Sequence, residues 1–243
     1  MAERIPKPPE DVVTIGILAL QGAFAEHQVI LKKLPMGGHK IKIELVRVPD
    51  DLQRCDALII PGGESTTIAL LARLAGLLEP LRDFIRRQRP VWGTCAGAIL
   101  LSERAEGTKK GGQELLGGVN ISIARNGWGS QIESFEAPLL SDDLKEADRP
   151  FTGVFIRAPV ILSVSPTPEH PIQIISRLPA DHLPRTGDPA LEEEDDTDPR
   201  DPRTIVALRQ GRHMVTTFHP ELTNDNRFHE YFLRECVLPS LRQ

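Results

Sequence analysis

Apolar and β-branched residues run almost unbroken through Val12-Val13-Thr14-Ile15-Gly16-Ile17-Leu18-Ala19-Leu20. A run with no polar alternation fits a strand covered on both faces, as in a parallel sheet. Helical spacing follows over residues 25–34, and a second strand is predicted over 41–48. Ala57-Leu58-Ile59-Ile60 reads as a third strand, stopped by Pro61-Gly62-Gly63. Helical patterning returns over 66–74 and 78–87, then a strand over 90–93 passes directly into an apolar helix over 96–101. Strand and helix alternating through short connections predict an α/β domain around a mainly parallel sheet with helices on both faces.

The second half has a different rhythm. Short strands are predicted over 119–124, 134–137, 154–156 and 161–164, with the turns of an antiparallel arrangement between them. Residues 172–176 and 204–209 read as a hairpin, 214–218 as a last strand and 226–237 as a closing helix. The segment 180–203 interrupts the hairpin. It holds four prolines and the run Glu192-Glu193-Glu194-Asp195-Asp196, with almost nothing apolar to bury. It is expected to be a solvated, disordered insertion within a single domain spanning 1–243, preceded by a tail over 1–11.

Composition narrows the possibilities. At 243 residues and 40% hydrophobic content, the chain can build a full core without metal or disulfide staples. No apolar run approaches the roughly 18 residues of a membrane span. The first ten residues carry Glu3, Arg4 and Lys7 but no apolar stretch, unlike a secretory signal. Residues 181–203 alone carry nine acidic and three basic side chains, so the formal net charge of −5 leaves the rest of the chain near +1. With aromatics at only 5% and no basic stripe, a nucleic-acid surface has no support. Cys55, Cys95 and Cys236 cannot pair completely, which favours a reducing, cytoplasmic setting. Neither Cys55 nor Cys236 has metal-ligand spacing with a histidine, so neither a metal nor a cofactor is expected.

The sharpest chemical feature is Gly93-Thr94-Cys95-Ala96-Gly97, between a buried strand and an apolar helix. This is the spacing of a nucleophile elbow, in which a tight turn projects the central residue and flanking glycines give it room. The helix start favours a thiolate, and the Ala96 backbone N–H can face a developing oxyanion. An isolated cysteine is more often an inert core residue; the two glycines and the strand–helix context change that reading. A thiol nucleophile needs a base and a group to orient it. Of seven histidines, only His219 follows a predicted apolar strand and has a carboxylate two residues on, Glu221. Cys95, His219 and Glu221 are therefore the candidate catalytic triad. Pro61-Gly62-Gly63-Glu64-Ser65 offers a loop whose backbone can approach a ligand closely, and no Walker lysine follows it.

With these motifs, the chain resembles the class I, triad-type glutamine amidotransferases. It resembles most specifically the glutaminase subunit of pyridoxal 5′-phosphate synthase, the Pdx2/PdxT/SNO family. The resemblance rests on residues 18–24 (LALQGAF), 61–67 (PGGESTT), 92–97 (WGTCAG), Arg125-Asn126, Ser134-Phe135-Glu136, 153–159 (GVFIRAP) and 218–223 (FHPELT). It implies a three-layer, flavodoxin-like fold and hydrolysis of L-glutamine to L-glutamate and ammonia. The ammonia would pass to a synthase subunit (Pdx1/PdxS/SNZ family) in a large hetero-oligomer, with activity switched on by that partner. By the same resemblance, Gly63, Glu64, Ser65, Arg125, Ile156 and Arg157 contact glutamine. Gln21, Gly62, Gly63 and Ala96 serve the oxyanion site or the partner interface. Two departures stand out: Ser130 where relatives commonly carry arginine, and the insertion and the 108–118 loop, which are longer than in compact bacterial members. A related cysteine hydrolase of the DJ-1/protease type, or a non-catalytic regulatory subunit, are the competing functions.

Overall fold

The computed structural model describes residues 12–35, 39–107, 112–125, 127, 134–179, 182, 198 and 200–242. The tail over 1–11, Ser130 and most of the predicted insertion lie outside them.

Seven strands form the central sheet: β1 (Val12–Leu18), β2 (Lys40–Val46), β3 (Ala57–Ile60), β4 (Val91–Thr94), β10 (Ile172–Arg177), β11 (Ile205–Gln210) and β12 (His213–Thr216). Their order is β10-β11-β12-β4-β3-β1-β2. The five from β12 to β2 run parallel, while β10, β11 and β12 are antiparallel neighbours. Within the parallel part the chain passes from β1 to β2 on one side and to β3 on the other, the doubly wound pattern that opens a crevice at the strands' carboxyl ends.

The unbroken apolar runs are explained by cover on both faces. In β3, Ala57 and Ile59 pack into one core with α1 (Phe24–Lys33) and α6 (Arg227–Tyr231); Leu58 and Ile60 pack into the other. That second core is closed by α2 (Pro49–Gln53), α3 (Ser65–Leu74), α4 (Leu78–Arg86) and α5 (Ala96–Leu101). Two small sheets lie beyond: β5 (Ser102–Glu106), β6 (Val119–Ala124) and β9 (Val160–Val164), and the hairpin β7 (Ser134–Leu139) with β8 (Phe151–Ile156).

The structure departs from the sequence pattern in four places. The second strand ends at Val46, not at residue 48, because the Asp51 carboxylate accepts the Arg47 and Val48 N–H groups at 2.9 and 3.1 Å and starts α2 instead. Strand β5 was invisible because Glu103, Arg104 and Glu106 leave it no apolar alternation; pairing with β6 holds it. The closing helix is α-helical only to Tyr231. It winds as a π-helix over Phe232–Val237 and tightens to 3-10 over Leu238–Arg242, where Pro239 cannot continue an α-helix.

The fourth departure concerns the far end of the acidic segment. Residues 200–203 are not a loose spacer: the Asp201 carboxylate caps Arg203 N at 2.8 Å, and its carbonyl accepts from Arg177 Nη1 at 3.1 Å and Thr204 Oγ1 at 2.6 Å. An excision of the acidic run that reaches Pro202 therefore removes a built turn. Asp201→Ala should destabilise the chain by about 1 kcal/mol, the usual loss for a helix cap, lowering Tm by about 2–4 °C. A thermal melt indistinguishable from wild type would contradict this.

Candidate active site

Four parts of the site sit at the carboxyl ends of parallel strands of the central sheet: Gln21 after β1, the Gly62-Gly63 loop after β3, Cys95 after β4 and His219 after β12. The elbow is real backbone geometry. Cys95 has φ of 48° and ψ of −101°, a region that L residues rarely enter, and its N–H is held by Thr216 O at 2.8 Å. The flanking glycines are steric requirements. A Cβ on Gly93 would lie 2.4 Å from the Gly97 carbonyl, and one on Gly97 would lie 2.1 Å from Ile60 O.

His219 is fixed from two sides. Its N–H donates to Val154 O at 2.8 Å, tying it to β8, and its Nδ1 lies 2.7 Å from Glu221 Oε1. Cys95 acts on the same ring, favouring its charged form. Glycine is again required at 62, where a Cβ would come within 2.3 Å of His219 Cε1. Gln21 ties the loop down: its Oε1 accepts the Glu64 N–H at 2.9 Å.

A cavity of about 460 Å³ opens over these groups. Of the twelve residues expected at the site, ten line it: Gln21, Gly63, Glu64, Ser65, Cys95, Ala96, Arg125, Ile156, Arg157 and His219. Gly62 lies beneath His219, and Glu221 is buried behind the ring. Ile99 also lines the cavity and was not foreseen, since its spacing reads only as core helix. Arg157 takes a positive φ of 42°, a second strained backbone at the rim. On the wall, Arg125 Nη2 lies 2.6 Å from Glu64 Oε1. Glu64 also caps α3, accepting Thr67 N at 2.7 Å. Burial alone would raise the Glu64 carboxyl, but the Thr66 and Thr67 hydrogen bonds hold it down at about 2, so it is a fixed negative charge. A cation and an anion side by side suit a zwitterionic amino acid.

Electrostatics favour a charged imidazole. Burial opposes it, but hydrogen bonds to Cys95 and Glu221 push His219 up to about 10. Burial likewise works against ionising Glu221, yet His27 and the His219 hydrogen bond keep it below its ordinary value. Such a chain can draw a proton from the thiol, present the sulfur to an electrophilic carbon and return the proton to a leaving group. Behind it lie His27 and His229, both fully buried and both lowered to about 3 by burial. Nothing in the sequence singles them out among seven histidines, because they approach each other only in the fold. No three histidine, cysteine or carboxylate side chains among the described residues are grouped to hold a metal.

These histidines set a pH window. Between pH 6.5 and about 3, unfolding lets His27 and His229 take up protons that the folded chain refuses, so stability falls as pH drops. For His219 the sign reverses. Its contribution is full below 6.5 and is lost as pH rises toward about 10. The urea midpoint should therefore be highest near neutrality and decline on both sides. A midpoint that climbs steadily from pH 6.5 to 10 would contradict the His219 assignment.

The SNO glutamine amidotransferase family model matches residues 17–238. The chain belongs to that family. A probable pyridoxal 5′-phosphate synthase subunit PDX2 of Arabidopsis thaliana is 44% identical over 225 residues, covering 91% of this chain and 85% of its own length. The pyridoxal 5′-phosphate synthase subunit PdxT of Chloroflexus aurantiacus is 43% identical over 221 residues, covering 91% and 99%. A crystal structure of a glutamine amidotransferase superposes with a TM-score of 0.69 at 37% identity, covering 91% of this chain and 98% of the other. The three-layer amidotransferase fold expected from the sequence is thus the fold the chain has.

Proposed function

We propose that this SNO-family chain hydrolyses L-glutamine to L-glutamate and ammonia, with Cys95 as nucleophile, His219 as acid and base, and Glu221 as the group that orients His219. The Cys95 thiolate attacks the side-chain amide carbon. The resulting oxyanion is met by backbone N–H groups of the Gly62-Gly63 loop and Ala96. Protonated His219 gives its proton to the departing nitrogen, the C–N bond breaks and ammonia leaves. Water, losing a proton to His219, then attacks the thioester carbon; glutamate leaves and the thiol is restored. Arg125 takes the substrate α-carboxylate, while Glu64, Ser65 and the Ile156-Arg157 backbone hold its polar groups and chain.

The observation that carries this reading is the Cys95–His219–Glu221 chain at the mouth of a cavity whose wall pairs Arg125 with Glu64. The relatives named as pyridoxal 5′-phosphate synthase subunits support ammonia as an intermediate product, passed to a synthase subunit that builds pyridoxal 5′-phosphate. That kinship favours a glutaminase over a DJ-1-type hydrolase or a purely regulatory subunit. A cytoplasmic location agrees with three free cysteines, and no helix among the described residues is long and apolar enough to cross a membrane. The test is glutamate release from glutamine, measured with and without a synthase subunit. Release should be slow alone and rise several-fold with the partner. Equal rates would sink the activation, and no release under either condition would sink the function.

A further inference from the structure

Behind Glu221 the fold places two histidines that the proposed chemistry does not use. His27 comes from α1 and His229 from α6, 202 residues apart, and neither has any exposed surface. His27 Nδ1 lies 2.9 Å from His229 Nε2. On its other edge, His27 Nε2 lies 3.5 Å from Glu221 Oε2 and 3.3 Å from Thr94 Oγ1. The Trp92 ring packs edge-on against both imidazoles, with centroids 5.7 and 4.8 Å away. Glu221 Oε1 is taken by His219, but Oε2 has no hydrogen-bond partner, in a side chain with no solvent exposure, and His27 Nε2 faces it at ion-pair distance.

The polarity of the unpartnered atoms at the two ends of this chain favours one pattern of protonation. An ionised carboxylate only accepts. A proton on His27 Nε2 faces the carboxylate favourably and can be donated to Thr94 Oγ1, which leaves Nδ1 as a bare acceptor. His229 must donate to it from Nε2, so His229 Nδ1 is bare, and that is the ring nitrogen without a partner. The reverse tautomers would aim a lone pair at the carboxylate and bury an unpaired N–H, the costlier arrangement.

We infer that His27 is a positioning residue for the glutaminase reaction: its Nε2–H, fixed in that tautomer by His229, holds Glu221 oriented toward His219. The titratable groups acting on His27 are Glu221, His229 and His219, and those acting on Glu221 are His27 and His219. His27 does not line the substrate cavity, so it acts on the rate and not on glutamine binding.

The inference rests on the glutaminase reading, and the test separates the two. In the full chain, assayed with its synthase partner, His27→Leu should lower kcat at least about tenfold, the scale on which losing an outer hydrogen-bond partner is felt, with KM for glutamine within about twofold. His27→Gln, whose amide nitrogen can occupy the Nε2 position, should restore kcat to within about threefold of wild type. A merely structural role would slow both variants alike, and that result, or an unimpaired His27→Leu, overturns the inference. Should the leucine variant not fold, ¹⁵N-histidine NMR of the unmodified chain decides. His27 protonated on Nε2 alone supports the assignment, and His27 protonated on Nδ1 or on both nitrogens overturns it. A wild-type chain that releases no glutamate would instead refute the glutaminase reading, leaving the NMR result to stand by itself.

Discussion

Cys95→Ala is expected to cut glutamine hydrolysis by on the order of 10⁴-fold or more, the scale of losing a nucleophile that works as a unit with its base. The fold should survive. The substitution deletes one sulfur from a buried residue that borders the cavity, and alanine inherits the same positive φ without adding bulk. Supplied ammonium salt should still support pyridoxal 5′-phosphate formation by the variant with its synthase partner, because only the ammonia source is gone. Turnover of glutamine at more than a few per cent of the wild-type rate would remove Cys95 from the chemistry.

The second large effect is expected at Gly97. Its missing Cβ is the space through which α5 packs on β3, since that atom would sit 2.1 Å from Ile60 O and 2.9 Å from Ile60 C. Both contacts are to backbone in the middle of a sheet, so no side chain can swing aside. Gly97→Ala must push α5 away from β3 and with it the elbow that carries Cys95. Overpacking of this kind costs about 3 kcal/mol, or about 6–12 °C in Tm for a chain of this size, and glutaminase activity should fall with it. Gly76→Ala is the internal control: a Cβ there meets nothing within 4 Å, although its φ of 68° still carries backbone strain. A Gly97→Ala chain that melts within a degree or two of wild type would mean the close approach is not rigid.

How much of this was legible beforehand depended on the range of the interaction involved. The central strands were readable because burial on both faces leaves an unbroken apolar run, as in Ala57–Ile60. Strand β5 was not, because Glu103 and Arg104 face solvent and only the ladder to β6 makes them a strand. The elbow was readable because Gly93, Cys95 and Gly97 are sequence neighbours that meet one local steric demand. His219 and Glu221 were readable for the same reason, as an i, i+2 pair after a strand. The histidines behind them were not. Nothing near His27 in sequence announces that residue 229 will lie 2.9 Å away, since that contact exists only once α1 and α6 cover the same face of the sheet. The ordered turn at Asp201 escaped notice for a related reason, its partner Arg177 lying across the acidic run.

Covalent trapping tests the central claim most directly. A glutamine analogue bearing an electrophilic diazoketone in place of the side-chain amide should alkylate the full chain once, in the presence of the synthase subunit, and abolish glutamate release in proportion. Cys55 and Cys236 are buried thiols pushed up to about 12 by desolvation, so they should stay unlabelled. Peptide mass spectrometry is expected to place the adduct on Cys95, with free glutamine protecting against it. Inactivation with the adduct on another residue, or full labelling of Cys95 with glutamate release unimpaired, would contradict the account.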